Sequence, residues 1–125
     1  MPSVKFNQSD LMGSKPLSPG WRTLQVESIS EGPGKTDPSS TVYPCFFVVA
    51  EGPDQHARAR KYFTEKRMED FANFLRCFMK GGEIASDQDV DYTKVAGRYV
   101  QGFVQYNSEM NWNEVNQFKA SDKLS

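Results

Sequence analysis

The chain has 125 residues, 38% of them hydrophobic and 13% aromatic, enough for one domain with its own packed core and some aromatic surface left over. A formal net charge of -1 excludes a generally cationic nucleic-acid binder, so any such role needs a local patch. No stretch approaches the roughly 20 apolar residues of a membrane span, and Cys45 and Cys77 lie in apolar sequence without metal-ligand neighbours, which reads as buried reduced thiols in a cytoplasmic protein.

The opening MPSVKFNQSDLMGSKPLSPG has no apolar segment of the signal-peptide kind. Its Asn, Gln, Ser, Gly and Pro content reads as a flexible arm over residues 1–18, ahead of a domain at 19–120 and a short polar tail at 121–125. The first strand is expected over Trp21–Ser30, with Leu24, Val26, Arg22 and Ser28 on one face and Trp21, Thr23, Gln25 and Ile29 on the other. EGPGKTDPSS then reads as a loop. Its Gly34-Lys35-Thr36 lacks the glycine five residues earlier that a phosphate loop requires, because position 29 is Ile. Lys35 is kept as a candidate phosphate contact from a hairpin tip.

The second strand, Val42–Glu51, carries the apolar run VYPCFFVVA and is expected at the centre of the core, with Pro44 at an edge or bulge. The third, His56–Phe63, reads HARARKYF, in which Arg58, Arg60 and Tyr62 share one face and Ala57, Ala59 and Lys61 the other. A helix is expected from Glu65 to Met79, because Met68, Phe71, Ala72, Leu75, Phe78 and Met79 fall on one stripe. Thr64 is its expected cap and Gly81-Gly82 its stop.

An acidic loop follows over Lys80–Val95. Asp87, Asp89 and Asp91 alternate as in a calcium loop, but Tyr92 and Arg98 occupy the positions that need Gly and Glu, so no metal site is expected. The fourth strand, Arg98–Tyr106, contains Gly102, where a small barrel bends, and the fifth spans Trp112–Phe118. The order β-β-β-α-β-β is that of a mainly β, five-stranded Greek-key barrel with one helix between strands three and four.

His56 is the only histidine, neither cysteine has an activating neighbour, and no zinc spacing or dinucleotide turn occurs. These residues point to no enzyme and no cofactor. They do hold one basic window: Arg58, Arg60, Lys61, Lys66 and Arg67 against the single acid Glu65. Strands two and three form the usual ligand face of such a barrel. Single-stranded nucleic acid is held by cations along its backbone and by aromatic rings under its bases. The candidate cations are Arg22, Lys35, Arg58, Arg60 and Lys61, and the candidate stacking rings are Trp21, Tyr43 and Tyr62. Phe47 also comes from a strand that could form the adjoining surface, Trp112 and Tyr106 rank second, and core packing is the stronger alternative for Phe46 and Phe47.

The frame PGWRTLQVESI, HARARKYF, AGRYVQGFVQY and WNEVNQF, with Gly20, Gly97, Asn113, Val115 and Phe118, resembles a family of small phage-encoded proteins. Their genes accompany phage replication and recombination functions, and several are regarded as OB-fold single-stranded DNA-binding proteins. The resemblance covers about residues 19–120. It implies a phage replication or recombination accessory in the host cytoplasm. Together with the residues it gives the expected reading: an OB-fold domain that binds single-stranded DNA with little sequence preference, with replication or recombination proteins and further copies of itself as candidate partners. RNA is not distinguished from DNA, since no feature reads a 2′-hydroxyl. The tail SDKLS departs from the acidic tail through which many such binders recruit partners, so recruitment by that route is not expected. The alternative is a protein-interaction or assembly β-barrel that binds no nucleic acid.

Overall fold

Five long strands build the fold: β1 (Gly20–Ile29), β2 (Thr41–Val49), β3 (Arg58–Thr64), β4 (Tyr99–Asn107) and β5 (Trp112–Ala120), with apolar alternation marking all but β2, whose run is apolar on both faces. The computed structural model describes residues 3–5, 15–34, 37–85 and 88–121. β1 pairs antiparallel with β2 and with β4, β2 with β3, and β4 with β5, while a parallel bridge from Arg60 to Glu114 joins β3 to β5. The order β1-β2-β3-β5-β4 therefore returns to β1 and closes a mixed five-stranded barrel of OB-fold topology. No helix is long and apolar enough to cross a membrane among the described residues.

Leu24, Val26, Cys45, Phe47, Val49, Phe63, Val100, Val104 and Val115 fill the barrel. Helix α1 (Met68–Arg76) closes one end by packing Phe71, Phe74 and Leu75 onto it. The Phe63 ring lies against Phe71 and Phe74 at 4.9 and 5.1 Å, and Phe118 closes on Phe74 at 4.8 Å. α1 is shorter than its stripe suggested. Glu65–Arg67 form a 3-10 turn, and Thr64 makes no capping bond with its side chain. Glu65 instead accepts from the Thr41 N–H at 2.8 Å, which turns it toward the β1–β2 loop. The late start leaves Met68 46% exposed and gives the central position to Phe74, which the expected stripe omitted.

Pro44 lies inside β2, opposite Tyr62. Its carbonyl accepts from Ser30 N at 3.2 Å, so its hydrogen-less nitrogen faces the end of β1, where the ladder stops. Gly102 meets a packing need: a Cβ there would stand 2.6 Å from Leu24 Cδ1 and 2.7 Å from Val115 Cγ1. Both cysteines are free, and burial pushes their thiols up, strongly for Cys45.

The end of the expected arm is part of the domain. Leu17 is buried in the core. The buried Asn113 accepts from Leu17 N at 2.8 Å and donates to the carbonyls of Lys15 and Arg58 at 2.8 and 2.9 Å. One amide thus pins the incoming chain onto the seam between β3 and β5. The β1–β2 loop is anchored as well, by Lys66 on Asp37 at 2.8 Å and by the Tyr92 hydroxyl donating to Glu31 at 2.6 Å. The second bond holds the Tyr92 hydroxyl proton, raising its pKa to about 12.

Candidate nucleic-acid interface

Strand register decides which side chains share the outer surface. Phe47 pairs with Ala59 and both are buried, so the alternate pairs point outward: Pro44 with Tyr62, Phe46 with Arg60, and Val48 with Arg58. Gln25 of β1 extends the last of these rows beside Val48. Trp112, the first residue of β5, comes in from the other side. Its ring lies 5.1 Å from Tyr62 and 4.3 Å from the Arg60 guanidinium, which also sits 5.7 Å from Phe46. Tyr62 meets Phe46 edge-on at 6.2 Å.

The result is a half-buried platform of three rings around one guanidinium, with Arg58 exposed beside it. Among the described residues neither Arg58 nor Arg60 forms an ion pair. The Trp112 indole N–H is shielded from solvent and has no acceptor among the described residues. A buried donor left unpaired costs about 1–3 kcal/mol, and such groups call for an explanation in the site that holds them.

No protein-family model matches the chain, and no curated protein is similar to it. The fold and this surface therefore carry the functional reading.

Of the residues expected at the interface, Arg58, Arg60 and Tyr62 come together on one surface. Lys61 takes the other phase of β3, and its ammonium stands 3.7 Å from Glu114. Tyr43 faces the closed end of the barrel, with its ring 4.7 Å from Phe71 and 5.5 Å from Tyr92. The Arg22 guanidinium donates to Asp54 at 2.9 and 3.1 Å and to the Ser18 carbonyl at 2.9 Å, which holds the Asp54 carboxyl below its ordinary value. Trp21 lies on a different wall, edge-on to Phe103 at 5.8 Å with the Lys119 ammonium 4.4 Å from its ring. Lys35 lies outside the described residues.

Two members of the platform were ranked lower by sequence. The run VYPCFFVVA is apolar on both faces and has no readable phase, so sequence favours the core for Phe46, which faces outward, and leaves the surface open to Phe47, which is fully buried opposite Ala59. Trp112 ranks second because its approach to β3 depends on a parallel pairing between two residues 54 positions apart in the chain, Arg60 and Glu114. The one local signal was that HARARKYF and WNEVNQF both place an aromatic ring on the phase opposite their buried residues.

Proposed function

We propose that this protein binds single-stranded DNA with little sequence preference, on the outer surface of β2 and β3 completed by Trp112. The observation that carries the reading is the grouping of Phe46, Tyr62 and Trp112 around Arg60, with Arg58 alongside. Rings of this kind stack on bases of any sequence at about 1–3 kcal/mol per base, and the arginines follow the phosphates. An accessory role in phage replication or recombination fits such a binder. Fluorescence anisotropy with a labelled oligodeoxythymidine tests it: binding that weakens steeply as salt is raised supports the reading, and no binding at low salt by folded protein overturns it.

One observation favours a second reading. Trp21 is 42% exposed beside Phe103 and Lys119, on β1, β4 and β5, away from the platform. An exposed aromatic patch of this kind suits a protein partner, and the barrel would then be an assembly module. Light scattering separates the two: a stable oligomer that Trp21→Ser dissolves, together with indifference to DNA, favours assembly.

A further inference from the structure

Two features lie next to the platform and share only Arg58 with it. One is a groove of about 430 Å³ where the outer surfaces of β1 and β2 meet, lined by Gln25, Glu27, Val48, His56, Arg58 and Gly97. The other is the backbone of His56, whose φ of 79° lies in the left-handed region, where glycine sits without penalty and a side chain does not. Its N–H donates to the Val49 carbonyl at 3.0 Å, fixing it at the end of the β2–β3 turn.

Register makes the groove the next step along the same surface. Gln25, Val48 and Arg58 form one outward row across three strands, and Phe46 with Arg60 forms the next. Rows two residues apart are separated by about 7 Å, close to one nucleotide of an extended strand. The Gln25 amide donates to the Gly97 carbonyl at 3.0 Å, which leaves its Oε1 as an acceptor. The groove therefore has cationic or donor groups at one end, an apolar floor at Val48, and two acceptors, Gln25 Oε1 and the Glu27 carboxylate.

Resting on the nucleic-acid reading above, we propose that this groove is a nucleotide subsite, with a phosphate between His56 and Arg58 and a base over Val48 whose edge faces Gln25 and Glu27. Two acceptors at the edge favour a base that carries an exocyclic amine, as cytosine does, over thymine, which has none. A binder with little sequence preference on its platform thus gains a modest one at this position.

The test compares an oligodeoxycytidine with an oligodeoxythymidine of equal length, about a dozen nucleotides, by anisotropy at low salt. The wild-type chain is expected to prefer the cytidine strand. His56→Gly keeps the left-handed backbone, so its melting midpoint should equal or exceed that of wild type while its affinity for the cytidine strand falls about tenfold, as loss of one charge-assisted contact implies. Glu27→Gln should erase the preference and leave thymidine binding intact. If His56→Gly does not fold, His56→Asn, which also tolerates this backbone, replaces it. Equal wild-type affinity for both strands, or wild-type affinity in the His56 variant, overturns the subsite and leaves the platform standing. A wild-type chain that binds neither strand overturns the platform reading and the subsite with it.

Discussion

The Arg60 guanidinium stands 4.3 Å from the centre of the Trp112 ring, across a seam where β3 and β5 meet in parallel at Arg60 and Glu114. A guanidinium over an indole face is attracted by the ring quadrupole, by about 0.5–2 kcal/mol depending on exposure. The stack orients the charge and, on the proposed reading, leaves the donors at its edge for a phosphate. It also ties the interface to the closure of the barrel, since neither residue reaches the other unless β5 docks on β3.

Arg60→Gln is expected to remove one phosphate contact and the support of the Trp112 ring. Affinity for oligodeoxythymidine should fall about tenfold at low salt, and the slope of log affinity against log salt should lessen by about 0.7. Titrations at several salt concentrations check both. A variant with reduced affinity and an unchanged slope would show that Arg60 acts on the fold and not on the phosphate.

Arg22 gives the opposite expectation, because its guanidinium is already engaged by Asp54 and only 13% of its side chain is exposed. Arg22→Gln leaves the partly buried Asp54 carboxylate without its main partner and should lower stability by about 1–3 kcal/mol. DNA affinity of the folded variant should not change. Urea unfolding and anisotropy on the same preparation separate the two effects.

Asn113→Ala strands the Leu17 N–H and the carbonyls of Lys15 and Arg58 together, and a loss of about 2–4 kcal/mol is expected for unpaired groups at a buried seam. Hydrogen exchange should accelerate first at Leu17. Protection at Leu17 equal to that of wild type would contradict the assignment of Asn113 as the pin of the incoming chain.

Acid should destabilise the protein over a defined window. Hydrogen bonds from Lys66 and then Ser39 hold Asp37 at about 2, and the Arg22 hydrogen bond lowers Asp54. A carboxyl depressed in the folded state contributes stability that is complete above its unfolded pKa of about 4 and is lost as pH falls through the folded value. The melting midpoint is expected to be level above about pH 5 and to drop between about 4 and 2. Asp37→Asn combined with Asp54→Asn should flatten that drop, and a drop of unchanged depth in the double variant would contradict it.

Much of this architecture was legible because alternation is a local signal. The order of the strands, their limits to within two residues, the presence of the helix and the outward phase of Arg58, Arg60 and Tyr62 follow from local spacing, whereas His56, expected to open the third strand, lies in the turn before it. What sequence could not supply were relations across the chain. Tyr43 and Phe46 lie in a strand apolar on both faces, and only the pairing with β3 sends Tyr43 to the barrel end and Phe46 outward. Arg22 reads as an available cation until the β2–β3 turn brings Asp54 against it. Lys61 differs from Arg60 by one residue, and that single step of pleat places it against Glu114. Gly102 was expected to serve a bend, whereas the cross-barrel approach of Leu24 and Val115 is what excludes a larger side chain.

The central claim is that bases stack on the surface built around Trp112. The chain has two tryptophans, so Trp21→Phe leaves the Trp112 indole as the sole reporter. Titration of that variant with oligodeoxythymidine at low salt should quench its fluorescence to a saturating plateau, with the midpoint moving to higher oligonucleotide concentration as salt is raised. An emission that stays constant at micromolar protein and low salt, from a chain shown to be folded by its melting curve, would contradict the account.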